Sequence, residues 1–478
     1  MAQTGGGTNG MHLDCIFHPN SVAVVGASNA MMSPGLVFLE PLLNSGFKGT
    51  AYAVHRNGGD VLGLPCYKSL SDIPGPVDHV IVCIPARYTP SLIEECVAKG
   101  VKSAHFFTAG FSETGEDEGR QLESQVVEIA RRGGMRLIGP NCMGLYCPTS
   151  GLAFCSELSQ QSGQLGLICQ SGGNAIYLAR AGASRGVPLS KGISYGNACD
   201  IDESEVMEYM THDPETKIIA AYIEGVKDGQ RFLGALREAT KVKPVIILKG
   251  GQSEYGARTI ASHTGSLAGS NSVWDTMLSQ NGAIRVHTLD EIVDLAITLT
   301  YMSVPAGRRV GIIGVGGGAS VLAADDCAAA GLSLPRPSEE VKKQLQSLTP
   351  TAGYMFSNPI DTQAFMEGSQ ELIDTVKIMA AWDGVDMILL HLAYDLMGAS
   401  LTGMINMGFT RFMIDTMVKA ANNVEKPIAA VLHFNNLDTT YKASFDERQI
   451  LQEAGIPVFS SFGGAAIAID RFLKYHGK

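Results

Sequence analysis

Three times along this chain, about 145 residues apart, a short apolar strand runs into glycine and then into a helical pattern. The turns fall at Gly26 in SVAVVGAS, at Gly172 in CQSGGNA and at Gly316–Gly318 in GIIGVGGGAS. Between them, strands such as GTAYAVH, HVIVCIPA and KIIAAYIEG alternate with helical patterns of about 10–15 residues. That alternation predicts βαβ units and parallel sheets. The repeat is too long for a solenoid. It predicts three doubly wound α/β domains in tandem, a reasonable division of 478 residues. The expected bounds are a flexible tail over 1–11, domains over 12–147 and 148–302, a linker over 303–309, and a third domain over 310–478. Ligands of such sheets bind beyond the carboxyl ends of the strands.

Charge and composition narrow the function. Thirty-six Lys and Arg against 47 Asp and Glu give a formal charge of −11, which disfavours a general nucleic-acid binder. No run reaches the roughly 18 apolar residues of a membrane span. MAQTGGGTNG lacks the basic and apolar regions of a signal peptide. Ten scattered cysteines, with no close CxxC pair, predict reduced thiols in the cytoplasm. There is no HExxH and no His/Asp/Cys cluster, so no metal ligands are expected on this chain.

Gly-rich turns at helix starts offer free backbone N–H groups and a positive dipole end, which suit phosphate. GASNAMMSPG lacks the full GxGxxG fingerprint, and there is no Walker A lysine. A nicotinamide cofactor is therefore disfavoured against another phosphate-bearing ligand, with a purely structural turn as the other alternative. Asn141 in RLIGPNCMG suits either a ligand amide or its own turn. Cys142 shows no base nearby in sequence, and a buried free thiol is ordinary.

His263 lies in ASHTGSLAG, among small and hydroxyl residues with no strand or helix period. It suits a functional imidazole on a loop, or a turn histidine bonded to backbone. Glu224 ends the strand AAYIEG, at the active rim of a parallel sheet, where it suits either an imidazole orienter or a solvated strand end. Ser171-Gly172 opens a helix in the same segment and would suit a phosphoryl group. Together these supply a nucleophile, an orienter and an anion cradle. His391 and His433 sit in apolar strand-like runs and read as structural.

With SVAVVGAS, FTAGFSETG, IGPNCMG, QSGGNA, YIEG, ASHTGSLAG and NPID in this order, the chain resembles the alpha subunit of NDP-forming acyl-CoA synthetases. It looks most like the ADP-forming acetate–CoA ligases, and more distantly like the succinyl-CoA synthetase alpha subunit. The likeness covers about residues 12–475. It implies a Rossmann-like coenzyme A domain followed by two flavodoxin-like domains. Gly26, Ala27 and Ser28 would approach the CoA phosphates, with Pro140, Asn141 and Cys142 near the thiol end or the acyl phosphate. His263 would be the histidine that is transiently phosphorylated, Glu224 its orienter, and Ser171 and Gly172 the helix start that receives it.

The implied reaction converts acyl-CoA, phosphate and ADP into a carboxylic acid, CoA and ATP. The resemblance also implies a separate ATP-grasp beta subunit carrying ADP or ATP and Mg2+, in a hetero-oligomer acting on a small carboxylic acid or its thioester. Two departures stand out. His55 and Arg56 replace the family's usual Asn-Pro pair, and Tyr195 and Cys199 enter a segment expected near the acyl site. A non-catalytic CoA-binding or regulatory paralogue is the alternative, and the intact His263 and Glu224 argue against it.

Overall fold

The computed structural model describes residues 9–264, 270–314, 316–348, 355–361, 369–393, 408–433 and 438–478. The strand–glycine–helix pattern resolves into three α/β sheets. The first holds β1 (Ser21–Val25), β2 (Thr50–Val54), β3 (Gly59–Val61), β4 (Leu64–Tyr67), β5 (His79–Val82), β6 (Ser103–Phe106) and β7 (Arg136–Ile138). Their order is β3-β4-β2-β1-β5-β6-β7, parallel except for the β3–β4 pair. β1 and β5 are buried throughout, as continuous Val/Ile/Ala runs must be when helices cover both faces of a sheet.

The second sheet holds β8 (Gly144–Tyr146), β9 (Leu165–Cys169), β10 (Leu189–Ser194), β11 (Ile218–Ile223), β12 (Val245–Lys249) and β13 (Ile284–Val286). Their order is β13-β12-β11-β9-β10-β8, and β8 alone runs antiparallel to its neighbour. Both of these sheets lie in one compact unit, Met1–Ala183 with Pro188–Leu289.

The other unit, Ser184–Val187 with Asp290–Lys478, holds the third sheet. Its strands are β14 (Val310–Gly314), β15 (Met355–Phe356), β16 (Ile360–Asp361), β17 (Met387–Ala393), β18 (Ile428–His433) and β19 (Val458–Phe459), in the order β15-β16-β14-β17-β18-β19. Ile313, Ile388, Leu390 and Ala430 are buried in its core.

Two expectations need revision. The segment leading to His263 is a helix, Glu254–Thr264, and not a loop. Ser253 Oγ accepts the Gly256 N–H at 3.0 Å and Glu254 occupies the first turn, so a cap and the dipole favour helix over the small-residue composition. Within the N-terminal segment expected to be a flexible tail, Asn9 begins a helix that runs to Phe17.

On β5 and β6 of the first sheet, His79 and His105 are almost fully buried. His79 Nδ1 lies 2.8 Å from Ser103 Oγ, and its Nε2 lies 3.0 Å from His105 Nδ1. Burial pushes His79 down to about 3 and His105 well below the usual imidazole range. The unfolded chain takes up protons near pH 6.5 that the folded pair refuses. Stability held above pH 6.5 is therefore lost as pH falls toward 3. By pH 5 the loss from His79 should be about 2 kcal/mol. Urea unfolding at pH 7 and pH 5 measures it, and His79→Gln should flatten the difference. An unchanged acid slope in that variant would count against the assignment.

Candidate functional site

β1 and β9 are the strands at which their sheets reverse winding direction, each flanked by two parallel neighbours. A cavity of about 1010 Å³ opens where these sheets' carboxyl ends meet. Asn141 and Cys142 line it from beyond β7, Ser171, Gly172 and Glu224 from beyond β9 and β11, and Ile260 from the helix Glu254–Thr264. Five of the residues singled out in the sequence thus share one chamber, although 83 positions separate Asn141 from Glu224. His263 stands in the last turn of the helix that contributes Ile260. Its side chain lies outside the described residues.

Each member has a definite role in the geometry. Asn141 adopts φ 57, and its N–H donates to Thr108 O at 3.0 Å. Its carboxamide meets no hydrogen-bonding partner among the described residues, although the residue lines the cavity. Cys142 donates weakly to Phe106 O at 3.5 Å, and burial pushes its thiol up to about 12, so it is no thiolate nucleophile. Ser171 Oγ accepts the Asn174 N–H at 3.4 Å at the start of the helix Gly172–Ser184. Glu224 Oε1 accepts from Tyr222 OH at 3.2 Å, while its buried Oε2 meets no partner among the described residues. Tyr195, expected near the acyl site, is fully buried, and neither it nor Cys199 lines the chamber; Gly196 does.

A second cavity, of about 710 Å³, shares Cys83, Ile84 and Pro85 with the first. Gly26 and Ser28 line it beyond β1, whereas Ala27 is buried and Ala27 and Pro140 line neither cavity. Arg56, Lys68 and Arg87 set three cations around this cavity against the single carboxylate of Glu95. Arg56 was visible in the sequence only as a departure from a motif. Lys68 and Arg87 carried no sequence signal, because only the sheet order brings the end of β4, next to β2, and the segment after β5 to the cavity beyond β1.

Gly26 makes the junction possible. It adopts φ +101, and a Cβ there would lie 2.4 Å from Cys83 O. Gly26→Ala should therefore combine backbone strain with a clash between two strand ends and cost about 2–4 kcal/mol. Thermal unfolding checks this; a variant as stable as the parent would show that the turn yields freely.

Sequence reading also passed over Gln170, Tyr222 and Lys249. Lys249 is completely buried at the end of β12, where its ammonium donates to Glu224 O at 2.8 Å and to Gly250 O. Burial pushes it down to about 8, against the pull of Glu224. Gln170 Oε1 accepts from both Glu224 N–H, at 2.7 Å, and Gly225 N–H, at 3.2 Å. These contacts hold the strand end that carries Glu224.

Fold and site together define an α/β protein with a cation-rimmed cavity that adjoins a chamber of anion donors and one carboxylate. The comparisons with known proteins agree. Residues 20–148 match the CoA binding domain family, and residues 162–299 match the succinyl-CoA ligase like flavodoxin domain. The chain is 39% identical to the acetate–CoA ligase (ADP-forming) I subunit alpha of Pyrococcus furiosus, over 75% of this chain and 78% of that one. It is 36% identical to subunit alpha of the acetate–CoA ligase (ADP-forming) II of the same organism, over 97% and 99%. A solved structure of a dinucleotide forming acetyl-coenzyme A synthetase 1 from Ca. Korarchaeum cryptofilum, in complex with phosphate and ADP, is 28% identical with a TM-score of 0.78 over 97% of each chain. The chain belongs to the ADP-forming acetate–CoA ligase alpha-subunit family, within the acyl-CoA synthetases.

Proposed function

We propose that this chain is the catalytic alpha subunit of an ADP-forming acyl-CoA synthetase. It interconverts acyl-CoA, phosphate and ADP with carboxylate, CoA and ATP. The observation that carries the reading is the shared chamber, which gathers Asn141, the Ser171–Gly172 helix start and Glu224 beside the helix of His263. Phosphate attacks the thioester carbonyl, the thiolate of CoA leaves, and an acyl phosphate forms. His263 then attacks phosphorus, the carboxylate leaves, and the phosphohistidine passes its phosphoryl group to ADP.

A neutral imidazole suits the attack near pH 7. Backbone N–H groups at Gly172 and Gly173 neutralise the phosphoryl oxygens, and Glu224 orients the ring. The cavity of Gly26, Ser28, Arg56, Lys68 and Arg87 fits the phosphates of CoA, because cations and close backbone meet a polyanion there. CoA supplies the thiol that the reaction exchanges. ADP and Mg2+ belong to an ATP-grasp beta subunit in a cytoplasmic hetero-oligomer. No helix among the described residues is long and apolar enough to cross a membrane. Each of the three sheets is read as one domain, and because β8 (Gly144–Tyr146) belongs to the second sheet, the second domain begins before residue 148. A non-catalytic role is not favoured, since the full-length relatives are named as ligase subunits.

The experiment mixes the purified chain with an ATP-grasp partner and γ-labelled ATP. Acid-labile, base-stable label on this chain is expected. Its absence from an assembled, ATP-binding complex would refute the phosphohistidine step. An acyl-CoA panel then identifies the substrate.

A further inference from the structure

We propose that the side-chain amide of Gln170 is itself a phosphate-binding group, donating to the phosphoryl oxygens held at the Ser171–Gly172 helix start. The inference rests on the reading of this chamber as a phosphoryl-transfer site, and it deepens that reading by adding a residue.

The orientation of the amide follows from its neighbours. Gln170 Oε1 accepts two backbone N–H groups, from Glu224 at 2.7 Å and from Gly225 at 3.2 Å. An amide nitrogen cannot accept those bonds, so the oxygen must face β11 and the NH2 must point the other way. Gln170 is only 6% exposed, yet it lines the chamber. Its Nε2 finds no acceptor among the described residues. A primary amide anchored through its oxygen thus leaves two donors open to a ligand in the chamber.

The surroundings select what that partner is. Gln170 directly precedes Ser171 and lines the same chamber as Ser171, Gly172 and Gly173, at the N-terminus of the 13-residue helix Gly172–Ser184, where backbone N–H groups are also free. Asn141 brings a second unpaired carboxamide to the same chamber. Donors therefore converge from a helix start and a buried side chain. A tetrahedral oxyanion such as phosphate or a phosphoryl group uses several donors at once, whereas a carboxylate alone has two oxygens to offer.

Gln170→Glu separates donation from structure. A carboxylate at this position still accepts both backbone N–H groups, so the strand end keeps its anchor. The two donors become a repelling anion. Inorganic phosphate binding to the full-length chain, followed by calorimetry, should weaken at least tenfold in this variant, with CoA binding and melting temperature unchanged. Phosphate binding equal to the parent's, or no phosphate binding by the parent, would overturn the proposal. If the variant fails to fold, a crystal of the unaltered chain with phosphate decides. A phosphate oxygen within about 3.2 Å of Nε2 supports the proposal, and phosphate held away from Gln170 overturns it. The wider reading fails separately: phosphohistidine label on the unaltered chain with undiminished phosphate affinity in Gln170→Glu defeats this inference alone, while missing label defeats the transfer step.

Discussion

His263→Asn should abolish label transfer from ATP to this chain and lower acyl-CoA-driven ATP formation by about 1,000-fold or more. Asparagine roughly matches the reach of Nδ1 but has no nucleophilic nitrogen, so the transfer is removed and not merely slowed. The first half of the reaction should survive. In the proposed mechanism, exchange between acyl-CoA and phosphate to give acyl phosphate uses the helix start of Gly172 and the chamber around Asn141, and needs no histidine attack. The variant should thus retain phosphate-dependent CoA release while losing ATP formation. Monitoring thiol release and ATP separately measures this split. Retained ATP synthesis in the variant would remove His263 from the mechanism. Equal loss of both half-reactions would mean that the residue holds the chamber together and does not carry phosphate.

The second large effect is expected in stability. Arg136, at the start of β7, makes a two-sided fork. Its Nε donates to Asp200 Oδ2 at 2.9 Å, while Nη1 and Nη2 each donate to Glu205 at 2.8 Å. Asp200 also accepts the Leu137 N–H at 2.9 Å. Asp200 and Glu205 follow β10 of the second sheet, so one guanidinium braces the two sheets whose strand ends form the chamber. Glu205 is 6% exposed. Arg136→Met should strand that carboxylate and cost about 3 kcal/mol. Arg231, 3.7 Å from Glu205, keeps the loss from being larger. Thermal unfolding of Arg136→Met against the double variant Arg136→Met/Glu205→Leu is the check. Partial recovery in the double variant is expected, because the stranded charge is gone. No recovery would show that packing of the arginine stem, and not the charge pairing, supplies the stability.

How far the site could be read from the chain varies with the residue. Ser171, Gly172 and Glu224 were legible because each lies within three residues of a strand's end, and strand ends of parallel sheets are where ligands bind. Asn141 was half legible: its left-handed backbone marks a turn, while its amide, unpaired among the described residues, lines the chamber. Gln170 went unused because a glutamine after a strand has no distinctive chemistry in sequence. Its importance comes from two backbone N–H groups that lie 54 and 55 positions away. Lys249 at the end of β12 carries no sequence signal of its burial, which comes with Trp274 5.6 Å from the ammonium and backbone oxygens of Glu224 and Gly250 around it. The helix before His263 was missed because its period is weak among small residues, while Ser253 caps it and Ile260 anchors its buried face.

What the sequence determined alone is local and periodic. Alternating apolar strands and helices specify parallel α/β sheets, and glycine before a helix specifies a turn where backbone approaches closely, as Gly26 does to Cys83. Those properties depend on neighbours within a few residues, so one chain displays them. Tertiary structure decided everything that needs two distant segments. It joined β7 and β9 ends into one chamber, gave β8 to the second sheet, and bound the Gln170 side-chain oxygen to the backbone after β11. The physical reason is that a side chain's chemistry is set by which donors, charges and apolar walls surround it. Those neighbours are assigned by sheet order and burial, not by position along the chain.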